Sequence, residues 1–148
     1  MEQIDAVKAA AVWQRVRQDP AEGRPWNPAA LEMMETEAAA VFGQLARQLP
    51  AHRARLQNIA EECRRHGACL RGILFLIDGA RPGAKRKTPA SESPALALRK
   101  CYGNALRTAA GYDAGREDPE FGCVFSAMAA KKREHCAAIL EILGQISK

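Results

Sequence analysis

Five side chains capable of chemistry stand where the surrounding pattern calls for apolar residues: Glu35, Cys63, His66, Lys132 and His135. Glu35 belongs to the run Leu31, Glu35, Ala38, Phe42, Leu45, Leu49. Cys63 and His66 belong to Leu56, Ile59, Cys63, His66, Leu70, Ile73, Ile77. Lys132 and His135 belong to Phe121, Phe125, Met128, Lys132, His135, Ile139, Ile142, Ile146. Each run advances by alternating steps of four and three, the spacing that keeps one face of a helix in line. A carboxylate, a thiolate and two imidazoles form a tetrahedral ligand set suited to zinc, so Glu35, Cys63, His66 and His135 are candidate ligands for a single Zn or Fe ion. Lys132, one turn from His135, opposes this because its ammonium repels a cation. The same ammonium can instead neutralise Glu35 while the histidines supply hydrogen bonds in a dry interior. An unpaired buried charge costs on the order of several kcal/mol, so these five groups are expected to converge in one buried polar layer.

Helices must position that layer, and the chain marks their ends. Ile4, Val7, Ala11, Trp13 and Val16 suggest a short leading helix over residues 1–18. Asn27-Pro28 offers an N-cap followed by proline at the first helical position, and Pro50 stops the helix that follows. The next helix closes at Asp78-Gly79, where glycine suits a left-handed cap. Ser93-Pro94 caps a third whose stripe is Leu98, Cys101, Ala105, Thr108, Tyr112, ending around Gly115, and Asp118-Pro119 opens the fourth by the same device. These elements predict an all-α single domain over 1–148, with an antiparallel four-helix bundle over 27–148.

Composition agrees. Of 148 residues, 47% are hydrophobic but only 5% aromatic, a balance that favours helices over a β-sandwich or barrel. The net charge of +5 favours anionic partners weakly. Its densest cluster, Arg81, Lys85, Arg86 and Lys87, lies in a stretch over 80–93 that reads as a mobile basic loop. That loop has no interleaved aromatics, so weak binding of an acidic partner is the most it supports; sequence-specific nucleic-acid binding is not expected. The five cysteines form no CxxC pair and read as reduced thiols of a cytoplasmic protein. Cys101 falls on a core stripe, Cys69, Cys123 and Cys136 are expected to pack near helix boundaries, and Cys63 to be a packing thiol, with Arg64 and Arg65 facing solvent. Residues 1–17 lack the pattern of a secretory signal, and the longest apolar run, Ile73 to Ile77, is too short to span a membrane.

Three phrases carry a resemblance: Glu35 with Phe42 seven residues on, the stretch Ile59 to His66 reading Ile-Ala-Glu-Glu-Cys-Arg-Arg-His, and Glu134 to Leu140 reading Glu-His-Cys-Ala-Ala-Ile-Leu. On these the chain resembles the rubrerythrin-type branch of the ferritin-like superfamily, from Leu31 to Leu143. In that family a glutamate comes from each of two helices and a Glu-x-x-His pair from each of the other two. Glu35, His66 and His135 match the ligand pattern, whereas Cys63, Lys132 and Ala105 stand where the resemblance implies glutamates. Carboxylates bridge and neutralise the two cations of such a centre, so their loss implies a bundle that has given up di-iron redox chemistry and is non-catalytic or weakly metal-binding. The alternatives are a di-iron oxidoreductase or peroxidase recruiting Glu61, Glu62 or Glu134, a mononuclear Zn or Fe protein, and a surface-mediated interaction module. Glu62 and Glu134 sit beside core positions and are expected to face the flanks. The resemblance also implies self-association, a homodimer being the simplest form.

Overall fold

A computed structural model describes residues 26–79 and 92–147, and among them every regular element is helical. Helix α1 spans Pro28–Gln48, α2 Arg53–Asp78, α3 Pro94–Asp113 and α4 Gly122–Ile146, with a single 3-10 turn, Pro50–His52, joining α1 to α2. The leading helix expected over 1–18 and the basic loop expected over 80–93, apart from Glu92 and Ser93, lie outside the described residues. No described helix is long and apolar enough to cross a membrane.

The helix ends follow local chemistry. Asn27 accepts a hydrogen bond from the Ala30 amide at 3.1 Å and Ser93 one from the Leu96 amide at 3.3 Å, each immediately before a proline that needs no amide partner. At the end of α2, Gly79 adopts φ +69°, the left-handed conformation in which a β-carbon would be strained.

The four helices pack together around the apolar faces read from the sequence. One buried cluster joins Phe42 and Leu45 of α1, Leu56 and Ile59 of α2, Leu98 of α3, and Ile139 and Ile142 of α4. A second joins Leu31 of α1, Leu70, Ile73 and Ile77 of α2, Tyr112 of α3, and Phe125 and Met128 of α4, with Trp26 laid against Phe125 at 4.8 Å between ring centroids. Glu35, His66, Lys132 and His135 fall between the two clusters along their helices, so apolar packing closes the polar layer from both ends.

The fourth helix departs from the sequence expectation. Asp118-Pro119 does not open α4, which begins at Gly122. The Asp118 carboxylate instead accepts the amides of Glu120 and Phe121 at 2.9 and 3.0 Å, and its carbonyl accepts the Gly122 amide at 2.9 Å. Asp118 thus caps a preceding turn, a competing use of the same side chain. A β-carbon on Gly122 would lie 2.4 Å from the Arg116 carbonyl oxygen, a backbone atom that cannot swing aside. Gly122→Ala is therefore expected to destabilise the fold by about 1–3 kcal/mol in chemical denaturation. Gly144→Ala, in open space on the same helix, should gain about 0.5 kcal/mol.

Candidate functional site

Three helices, α2, α3 and α4, each send a donor to the Glu35 carboxylate of α1. Glu35 on α1 has no solvent exposure. Its Oε1 accepts Lys132 Nζ from α4 at 2.7 Å. Its Oε2 accepts the Tyr112 hydroxyl from α3 at 2.5 Å and His66 Nδ1 from α2 at 2.7 Å. Because a carboxylate only accepts, His66 carries its proton on Nδ1. Lys132 Nζ also donates to Cys63 Sγ at 3.4 Å, placing the ammonium between a carboxylate and a sulfur.

These contacts set the protonation states. Burial pushes the Glu35 carboxyl up, but the His66 hydrogen bond and the Lys132 charge outweigh it and hold the group below its ordinary value. Burial pushes the Lys132 ammonium down, and the Glu35 charge overcomes that to raise it. The pair is charged, and neither charge is isolated. Burial drives the Cys63 thiol up to about 12, so the sulfur is a neutral acceptor. Tyr112 is likewise held as a phenol by burial and by the Glu35 charge.

A second group of contacts flanks the first. His135 Nε2 lies 2.9 Å from Glu62 Oε2, an oxygen 3.8 Å from Lys131 Nζ, and Lys131 also pairs with Glu134 at 2.8 Å. Glu134 is exposed as expected, but Glu62 is not merely a flank residue: it turns inward to satisfy His135. The other ring nitrogen, His135 Nδ1, is buried without a hydrogen-bond partner. Burial and then the Lys132 charge depress the His135 pKa, which fits a neutral ring with Nδ1 as a bare acceptor. The rings of His66 and His135 are stacked 6.4 Å apart.

Glu35, Cys63, His66 and Lys132 are thus linked directly, and His135 joins them through its stacked ring. The zinc reading needs Glu35, Cys63, His66 and His135 to aim at one point. In the structure Glu35 and Cys63 both face Lys132, and His135 turns to Glu62. Among the described residues no group of three or more His, Cys, Asp or Glu is arranged to hold a metal ion. Ala105 is buried beside a cavity of about 70 Å³ whose wall includes Phe42, Thr108 and Lys132. Arg64 and Arg65 are exposed. Cys136 is buried in mid-helix, against the expectation of a boundary site, whereas Cys69 and Cys123 are exposed. Sequence reasoning also passed over Glu32, a buried carboxylate held by Arg71 at 3.0 Å and Thr36 at 3.1 Å. Its place beside the α1 stripe gave no signal; the Arg71 that matches it is distant in sequence.

The fold and site define an all-helical protein in which four helices enclose a charge-paired polar layer. The chain matches no protein-family model, no curated protein and no solved structure.

Removing one member of a buried pair leaves the other charge stranded. Lys132→Met is expected to destabilise the protein by about 3–5 kcal/mol. Glu35→Gln with Lys132→Met leaves no charge behind and keeps an acceptor for His66 and Tyr112, so the double variant should recover at least about 1 kcal/mol in urea denaturation. Acid should also weaken the fold. His135 has a folded pKa below its ordinary 6.5, so its contribution is fully present above that pH and is lost as pH falls below it. Glu35, held below its ordinary 4.5, contributes above that value and loses its share as pH falls through the folded pKa. The melting temperature is expected to decline in two stages on acidification, and His135→Gln should remove the first.

Proposed function

We propose that this protein is a charge-substituted, antiparallel bundle of the ferritin-like type, in which the Lys132 ammonium stands in for the metal charge and no di-iron redox chemistry remains. The observation that carries this reading is Lys132 Nζ at 2.7 Å from Glu35 and 3.4 Å from Cys63, both of which the sequence offered as ligands. A cation sharing that space would meet an ammionium whose pairing with Glu35 favours its charged form. The two apolar clusters support the antiparallel arrangement, since the start of α1 meets the ends of α2 and α3 and the start of α4. His66 and Tyr112, both donating to one Glu35 oxygen, complete the role of the lost centre by satisfying the carboxylate. The layer fixes how the helices meet.

Metal content tests this. Protein purified without chelator or affinity tag, analysed by elemental mass spectrometry, is expected to hold neither zinc nor iron in stoichiometric amount, as is Cys63→Ala with His66→Ala. About one zinc or iron per chain, lost in that variant, would replace this reading with a mononuclear site. About two irons per chain would replace it with a rubrerythrin-like oxidoreductase.

A further inference from the structure

Cys63 and Lys132 are in contact across two helices, in addition to the ion pair of Lys132 with Glu35. Glu35 neutralises the ammonium, and Nζ also lies 3.4 Å from Sγ, with Cys63 0% and Lys132 1% exposed. The two come from different helices and are 69 positions apart in sequence, so packing rather than local geometry holds them together. A cavity of about 190 Å³ between α1 and α2 has this cysteine in its wall, together with Thr36, Ala40, Arg64 and Gly67. A cavity of that size admits a molecule as small as dioxygen. The site therefore holds a thiol, an ammonium 3.4 Å away, a carboxylate bonded to that ammonium, and a cavity beside the thiol large enough for a small oxidant.

We propose that Cys63 and Lys132 are a covalent modification site at which dioxygen joins Sγ to Nζ through one oxygen atom, giving an N–O–S bridge between α2 and α4. The balance is one ammonium, one thiol and one dioxygen giving one bridge, one water and one proton. An N–O and an S–O bond form, and the O–O bond, the S–H bond and two N–H bonds of the ammonium break. Nitrogen and sulfur each give up two electrons, and dioxygen takes all four, one of its atoms staying in the bridge and the other leaving as water. Glu35, 2.7 Å from Nζ, is placed to accept the ammonium proton and free the amine lone pair. That transfer turns an ion pair into two neutral groups, so the bridged state leaves no unpaired charge in the interior. Among the other cysteines, Cys69 and Cys123 are exposed, and Cys136 faces the Tyr102 carbonyl at 4.0 Å.

The inference rests on the charge-substituted layer proposed above, and the two fail separately, one in metal content and the other in covalent mass. Protein purified without oxygen in reductant, freed of the reductant and then held under air, is followed by intact mass and by peptide mapping. Cys69→Ser with Cys123→Ser in the background removes oxidation of exposed thiols. The expected result is a gain of about 14 Da, one oxygen less two hydrogens, on a cross-linked pair of peptides containing Cys63 and Lys132. The bridged form should melt about 5 °C higher, as a cross-link between distant positions restricts the unfolded chain. Cys63→Ser, which leaves the Glu35 to Lys132 pair intact, should show neither change, and this variant keeps the test meaningful if Lys132→Met does not fold. No cross-link under air while the chain stays folded, or Cys63 oxidised to sulfinate with Lys132 unmodified, would overturn the proposal.

Discussion

A carboxylate fully shut off from water must be matched by donors, and Glu35 imposes that demand on the whole bundle. Its two oxygens take three donors, from α2, α3 and α4, so one side chain of α1 fixes the rotation of every other helix about its axis. Apolar packing alone would tolerate small slips of one helix against another; a hydrogen bond of 2.7 Å to a buried charge does not. The ion pair need not be the largest source of stability. Its consequence is geometric, since turning any helix leaves a buried donor or acceptor unsatisfied.

The apolar clusters on either side make that demand enforceable. Leu45, Leu56, Leu98 and Ile139 close one end, and Leu31, Leu70, Tyr112 and Phe125 the other. With water excluded, the Lys132 ammonium is worth more to Glu35 than it would be at the surface, where exposed pairs such as Arg55 with Glu141 contribute little. Tyr112 belongs to both worlds, its ring packed 6.0 Å from Phe125 and its hydroxyl bonded to Glu35. Burial also holds Cys63 as a neutral thiol beside the Lys132 ammonium and shuts its sulfur off from bulky reagents.

The flanking group shows where such a layer is left incomplete. Glu62 satisfies one nitrogen of His135, and the other is buried with nothing to accept from. The depressed pKa of that ring agrees with this, because a second proton on Nδ1 would have no acceptor. Lys131, Glu62 and Glu134 link the same histidine outward to the surface of α4, so the interior layer and the exterior charges form one connected set.

The sequence alone determined that the chain forms helices, where most of the described helix ends fall, and which five polar side chains share their inward stripes. Steps of four and three placed Glu35, Cys63, His66, Lys132 and His135 on inward stripes, and Asn27-Pro28, Ser93-Pro94 and Gly79 marked ends that depend only on neighbouring residues. Asp118-Pro119 misled for the same local reason: an aspartate followed by proline caps a turn as readily as a helix, and here the Asp118 carboxylate holds the Glu120 and Phe121 amides of the turn before Gly122. Which polar groups meet was decided by tertiary structure. Periodicity states that a side chain points inward but not which atom faces it, so the choice of Glu62 for His135, the burial of Glu32 against Arg71, and the place of Lys132 between Glu35 and Cys63 came from how the helices are set against one another.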